Sequence, residues 1–269
     1  MPYSSGQPGP IALFGSGETG KYGRQVQETL LLRYPKPVRV TINETPAGFQ
    51  PNVDVVTGKL RVFYEHNLQN ARPEVTIAAA RKKGSAYNPD DPAVAATLAN
   101  ADIIFAGPGS PTYTARMLRD TRTLAALRQR HALGATVVLA SAAAIAAGTW
   151  VLPVYEIYKA GDDPGWLPGL DLLGDRGMKV AVVPHWTNKE GGADLDTTRA
   201  YIGEARFEAM RALLPEDVAV LGIDEHTAVV IDSDDEGTVM GAGATTIIRG
   251  ETRLVVAARE RFPLSLLRG

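Results

Sequence analysis

Ala135-Thr-Val-Val-Leu-Ala140, then Ser141, then Ala142-Ala-Ala-Ile-Ala-Ala147 is one apolar stretch that changes character at a single serine. Its first part reads as a buried strand and its last part as a helix built from small side chains. Ser141 therefore falls on a sharp strand-to-helix turn. Small flanking residues have a steric reason there, because backbone and helix approach closely. Two roles fit the serine: a nucleophile presented at the end of a strand, or the N-cap of a buried helix.

Other short apolar runs alternate with helical patterns on either side of this stretch. Ile11–Phe14, Val38–Ile42, Ile103–Ala106, Thr136–Ala140 and Lys179–Val183 read as strands, most of them too continuously apolar for a sheet with one wet face. Helices are expected over Lys21–Arg33, Val53–Asn67, Pro92–Ala99, Thr112–Arg119 and Thr123–Leu133. A further helix is expected from an Asp196 cap to just before Pro215, burying Ile202, Ala205, Ala209 and Leu213. Short strands at Thr227–Ile231, Thr238–Met240, Thr245–Ile248 and Thr252–Ala257 suggest an antiparallel extension at one side of the sheet. The expected architecture is thus α/β, a parallel flavodoxin-like sheet with helices on both faces and an antiparallel extension near the C-terminus. Residues 1–269 are read as a single domain with a flexible stretch at 1–10. Segment 160–177, rich in Gly, Asp and Pro, reads as a long surface loop.

Composition narrows the function. A formal net charge of −2, with no basic run, argues against a nucleic-acid surface. The absence of cysteine removes disulfides, thiolate metal sites and a cysteine nucleophile together. No signal-like N-terminus and no apolar run of about 18 residues is seen, so a cytoplasmic protein without membrane attachment is expected. The expected partner is a small-molecule or peptide substrate, and a homodimer is left open.

In open α/β sheets ligands gather beyond the carboxyl ends of the strands. The segments there are Gly15-Ser-Gly-Glu-Thr-Gly20, Asn43–Gly48, Gly107-Pro-Gly109, Ser141, His185 and Glu225. The first is a poor phosphate loop: it lacks the P-loop lysine and the full dinucleotide fingerprint, and Glu18 would repel phosphate. Gly109 or a neighbour can offer an amide to an oxyanion, whereas Pro108 has no N–H. Of the four histidines, His66 and His131 read as solvated, and His185, following a strand and Pro184, as a general base. Asp224 and Glu225 alternate along an extended segment, so only one of them can orient His185. His226 stands in reserve. Asp232-Ser-Asp-Asp-Glu-Gly237 opens like a calcium loop but has Gly243 where the twelfth-position glutamate belongs, so a hairpin turn is expected, and no metal or cofactor.

Phe14-Gly-Ser-Gly-Glu18, Phe105-Ala-Gly-Pro-Gly109, Ser141-Ala142, Pro184-His185 and Gly222-Ile-Asp-Glu-His-Thr-Ala228 together resemble the cyanophycinase and aspartyl dipeptidase (peptidase E) family. These are serine hydrolases with a class I glutamine-amidotransferase-like fold. The resemblance spans roughly residues 11–249. It implies Ser141 as nucleophile, His185 as base, Glu225 as the residue orienting the base, and the amides of Gly109 and Ala142 as oxyanion donors. Glu18, Ser110, Trp186 and Arg206 are the candidate substrate contacts, with Arg199 a second choice as carboxylate anchor. Family elbows usually read Gly-x-Ser-Ala-Gly, whereas this chain has Leu139-Ala-Ser-Ala-Ala143. The expected function is a serine peptidase or amidase working through an acyl-enzyme. The alternative is a noncatalytic ligand-binding or scaffold protein with a degenerate site. Residues 186–196 replace the family's arginine-bearing stretch, so they are expected to form a loop over the site and to redirect specificity.

Overall fold

Strands β1 (Ile11–Phe14), β2 (Arg39–Asn43), β3 (Glu74–Ala78), β4 (Ile103–Ala106) and β5 (Thr136–Ala140) form a parallel five-strand stretch in a computed structural model that describes residues 6–269. Successive residues of a strand face opposite sides, and in β1, β4 and β5 both sides are dry, whereas the edge strand β3 leaves Glu74 and Thr76 exposed. Leu13, Ile104, Val137 and Leu139 enter one core, while Phe14, Phe105, Val138 and Ala140 enter the other. Helices α1 (Lys21–Leu31) and α2 (Val53–Val62) supply Val26, Leu30, Leu31 and Leu60 to the second core. Helix α3 (Pro92–Ala96) is short. Helices α4 (Pro111–Leu118) and α5 (Arg122–Ala132) cover the first core with Leu118, Leu124 and Leu127. The continuous apolar character of β1, β4 and β5 is thus the consequence of burial on two faces.

After β5 come α6 (Ala142–Ala147), β6 (Trp150–Val151), β7 (Leu167–Pro168), β8 (Val180–Val183), α7 (Glu204–Arg211), β9 (Ala219–Ile223), β10 (Thr227–Ile231), β11 (Glu236–Gly241), β12 (Ala244–Arg249), β13 (Thr252–Ala257) and β14 (Arg261–Pro263). All the residues of α6 are buried, against α4 and β8 as well as its own strand, which is why five of its six side chains are alanine, with Ile145 the exception. The expectation of a mixed α/β protein with parallel strands, flanking helices and antiparallel C-terminal strands holds. Its details differ in one respect that matters for function. The strands form two sheets, one ordered β14-β11-β10-β1-β5-β4-β2-β3 and the other β13-β12-β9-β8-β6-β7. Strand β8, expected in the main sheet, pairs in parallel with β9 in the second, and the antiparallel strands are divided between the two.

Other expectations are corrected by packing. The helix expected from Asp196 begins only at Glu204: the Asp196 carboxylate accepts from the Thr198 and Glu204 amides and caps turns before the helix. That helix buries Phe207 and Met210, leaving Ala205, Ala209 and Leu213 exposed. Segment 160–177 is more than a surface loop, since it contains β7 and buries Leu170, Leu172 and Leu173. His131 is buried rather than solvated, with Nε2 2.8 Å from the Gly9 carbonyl, and burial pushes its pKa down. Gly9 and Pro10, within the stretch expected to be flexible, are buried as well, whereas residues 1–5 lie outside the described residues. The acidic run at Asp232–Gly237 is the turn joining β10 to β11, its carboxylates Asp232, Asp234 and Asp235 paired with Arg33, Arg261 and Arg268. Among the described residues no helix is long and apolar enough to cross a membrane.

Candidate active site

The chain passes from the second sheet to the first at Asp224-Glu225-His226, between β9 and β10, and the candidate site lies at that crossing. Ser141 arrives on β5 of the first sheet, His185 follows β8 of the second, and Glu225 sits on the passage itself. The loop after β1 ties them together. Phe14 O accepts from the Ser141 amide at 3.2 Å, Gly15 O accepts from the His185 amide at 3.1 Å, and the Gly15 amide donates to Thr227 O at 2.9 Å. Gly15 is required by this convergence, because a Cβ there would lie 2.1 Å from the Asp224 carbonyl oxygen. The glycine stretch that resembles a poor phosphate loop is therefore a structural junction.

A continuous hydrogen-bond chain runs through the three side chains. Ser141 Oγ is 2.9 Å from His185 Nε2, and His185 Nδ1 is 2.9 Å from Glu225 Oε1. Glu225 also accepts from Asn188 Nδ2 at 2.8 Å and from the Ser16 hydroxyl, which in turn accepts from the His226 amide at 3.0 Å. Burial pushes the Glu225 carboxyl up. The bonds from His185, Ser16 and Asn188, with the charge of His185, outweigh it and hold the group at about 2. With a carboxylate fixed at Nδ1, the neutral imidazole carries its proton there and leaves Nε2 as an acceptor facing Ser141. Asp224 faces elsewhere: its Oδ2 accepts from the Ala244 amide at 2.9 Å, and burial raises its pKa. The exposed His226 ring lies against Gly17 and is not itself part of the cleft lining.

Backbone strain is concentrated here. Ser141 has φ 51° and ψ −112°, and His185 has φ 49°. Such conformations cost non-glycine residues on the order of 1–3 kcal/mol each and persist only where surrounding structure imposes them. Ser141 makes no side-chain cap to α6. Leu139 and Ala143, where the resemblance leads one to expect glycines, do not relax the turn. Nearby, Arg199, Ala200 and Tyr201 form a left-handed turn at φ 57°, 57° and 69°. The Ala200 amide donates to His185 O, the Arg199 amide to Trp186 O, and the Tyr201 ring sits 5.4 Å from the His185 ring.

These residues border a cleft of about 470 Å³ that includes Ser141, His185, Gly109, Glu18, Glu190, Tyr155, Tyr158, Lys159 and Tyr201. Beside it an apolar niche of about 50 Å³ is formed by Ala142, Ile145, Val154 and Ala200 around Ser141. Gly109 has φ 153° and backs onto Pro46, whose carbonyl would lie 1.8 Å from an added Cβ. Ser110 fixes that loop by donating its amide to Pro46 O at 3.0 Å and capping α4 through Tyr113 N. Among the described residues no hydrogen bond uses the amide of Gly109 or of Ala142. Glu18 lines the cleft, and burial raises its carboxyl pKa against the pull of a backbone amide and of His185.

Three of the four expected substrate contacts lie elsewhere. Trp186 is buried 3.9 Å beneath the Arg199 guanidinium and edge-on to Phe207, so residues 186–196 anchor in the core through it. Arg199 is spent on Trp186 O and Glu204. Arg206 is exposed on α7, away from the cleft lining, and Ser110 is a helix cap. Sequence reasoning missed Ser16, Asn188, Glu190 and Tyr201. Only Asn188, three residues after His185, carried any signal in its spacing.

No protein-family model and no curated protein matches the chain. Among solved structures it is similar to a peptidase from an acI-B1 actinobacterium, at 22% identity and TM-score 0.76 over 97% of this chain and 98% of that one. It is also similar to a putative peptidase E protein from Listeria monocytogenes EGD-e, at 15% identity and TM-score 0.52 over 93% and 98%. The chain therefore shares the fold of these two structures, and the expected α/β architecture is borne out.

Proposed function

We propose that this protein is a serine peptidase or amidase of the peptidase E and cyanophycinase type, with Ser141, His185 and Glu225 as its catalytic groups. The observation that carries the reading is the unbroken chain from Ser141 Oγ through both His185 nitrogens to Glu225, on a serine whose strained backbone serves no cap. Likeness in fold to two proteins described as peptidases supports an amide or peptide bond as the target.

In this mechanism Ser141 Oγ bonds to the substrate carbonyl carbon while His185 Nε2 takes its proton. The carbonyl π electrons move onto oxygen, where the amides of Gly109 and Ala142 donate to the developing charge. Collapse of this adduct breaks the C–N bond, and His185 returns the proton to the leaving amine. Water then attacks the acyl-Ser141 ester, giving its proton to His185, and the acid is released as Ser141 recovers that proton. Glu225, ionised throughout, keeps the ring oriented and stabilises the imidazolium formed in each half-reaction.

Stopped-flow mixing with a p-nitrophenyl ester tests this. One equivalent of p-nitrophenolate should appear in a burst before steady turnover, and Ser141→Ala should lose it. A full burst from Ser141→Ala would remove the serine from the chemistry.

A further inference from the structure

We propose that strand β13 is the contact between two copies of this chain, which pair antiparallel along its open edge and join their second sheets into one. The proposal is independent of the chemistry at Ser141.

The two sheets end in β14 and β3 in the first and in β13 and β7 in the second. An edge strand offers unpaired N–H and C=O groups to any other extended chain, and proteins blunt it by shortness, proline or charge. Among the described residues the other edges are blunted in these ways. Strand β14 has three residues and ends in Pro263, with Arg261 ion-paired to Asp234 and Glu236. Strand β7 has two residues, one of them Pro168, and β3 turns only Glu74 and Thr76 fully to solvent. Strand β13 differs: it has six residues and no proline, and it leaves Leu254 40% and Val255 60% exposed.

Its register shows which groups are open. The β12–β13 hairpin turns through Gly250 and Glu251 alone, so Arg249 and Thr252 are its closing hydrogen-bonded pair. Alternation then directs the N–H and C=O of Thr252, Leu254 and Val256 towards β12, and those of Arg253, Val255 and Ala257 outwards. Flanking bonds agree. The Ala258 amide continues the ladder to Gly243 O at 2.9 Å, whereas the Ala257 amide donates at 2.9 Å to the Glu260 carboxylate, which therefore lies along the edge. Beyond Arg253 and Val255 there is no further strand.

A second copy fits this edge in one register. With Val255 on the twofold axis, each Val255 meets its counterpart, Leu254 faces Val256, and Arg253 stands opposite Ala257 with the Glu260 carboxylate beside it, twice over by symmetry. Among the described residues neither Arg253 nor Glu260 has an ion-pair partner; the Arg253 guanidinium lies 5.8 Å from the Trp186 ring. Centring on Leu254 sets Glu251 against Glu260, and centring on Arg253 sets two arginines face to face, both unfavourable across a ladder. Charge thus favours a second copy over an arbitrary extended peptide. Pairing one strand per copy buries less than a standard interface of about 1,600 Å². The dimer is therefore reversible, with a Kd on the order of 1–100 μM.

Sedimentation velocity across concentrations that bracket this Kd tests the proposal, with Tm measured on every variant to establish that it is folded. Wild type should pass from monomer to dimer. Val255→Lys sets like charges on the axis, and Val255→Pro deletes an edge amide that β12 does not use; each should weaken association at least about 10-fold. Arg253→Glu and Glu260→Lys should each self-associate about 10-fold more weakly than wild type, since each alone sets like charges opposite one another. An equimolar mixture of those two should recover the dimer, because both attractions return in the mixed pair. A dimer that survives Val255→Lys or Val255→Pro, or a mixture no stronger than its components, overturns the proposal. So does a wild type that stays monomeric, the result expected if the edge serves an extended peptide instead.

Discussion

Gly109→Ala isolates the oxyanion loop. An added Cβ would lie 1.8 Å from Pro46 O and 2.2 Å from Pro46 C, far inside the 3.4 Å at which ordinary contact begins, and both atoms are backbone. The φ of 153° adds strain for any side chain. Overpacking and strain each cost about 1–3 kcal/mol, so stability should fall by roughly 2–6 kcal/mol. For a chain of this length that is a drop of about 5–20 °C in Tm. The loop can yield only by moving the Gly109 amide, so turnover should fall about 10²–10³-fold, the usual loss for one oxyanion donor. Gly58→Ala is the control: Gly58 lies exposed on α2 with nothing near its Cβ position, and should gain about 0.5–1 kcal/mol. Differential scanning fluorimetry and steady-state hydrolysis read both effects. Wild-type Tm and wild-type kcat in Gly109→Ala would refute the assignment of this loop.

Glu225→Gln should lower kcat by about 10²–10⁴-fold with an unchanged circular dichroism spectrum, because a near-isosteric amide cannot stabilise the imidazolium; equal damage from Asp224→Asn alone would reverse the assignment. Ser16→Ala removes one of the bonds that hold Glu225 at about 2. A depressed carboxylate stabilises the fold above its ordinary pKa and loses that contribution as pH falls through the folded value, so acid unfolding of Ser16→Ala should begin at higher pH than in wild type, which a pH titration of tryptophan fluorescence checks. Glu18 has the opposite sign: a carboxyl raised by burial opposes folding above its ordinary value of 4.5. Glu18→Gln should therefore raise Tm at pH 7 and lose that advantage below about pH 4; a pH-independent difference would contradict the burial argument.

What was readable in the sequence follows physical lines. Strands β1, β4 and β5 were legible to the residue because burial on both faces makes them continuous apolar runs ending at small residues. The positions of Ser141 and His185 at strand ends were legible because Ser141 directly follows such a run and His185 follows another after Pro184. Separation into two sheets was not, since β8 is as apolar as β5 and periodicity says nothing about which neighbour a strand takes. Glu225 rather than Asp224 came from the family resemblance, as alternation fixes only that the two face apart. The role of Trp186 was misread because a tryptophan looks the same in sequence whether it walls a pocket or fills a core, and here Arg199 closes over it. Ser16 and Tyr201 reach the site only through tertiary contacts from distant segments.

Acyl-enzyme chemistry at Ser141 is tested most directly by intact-mass spectrometry after treatment with a fluorophosphonate. Wild type should gain the mass of one phosphonyl group, mapped to Ser141 by peptide analysis; Ser141→Ala should gain none, and His185→Ala should react at least about 10²-fold more slowly. An unmodified wild type, or a phosphonyl group on another residue, would contradict the hydrolase reading.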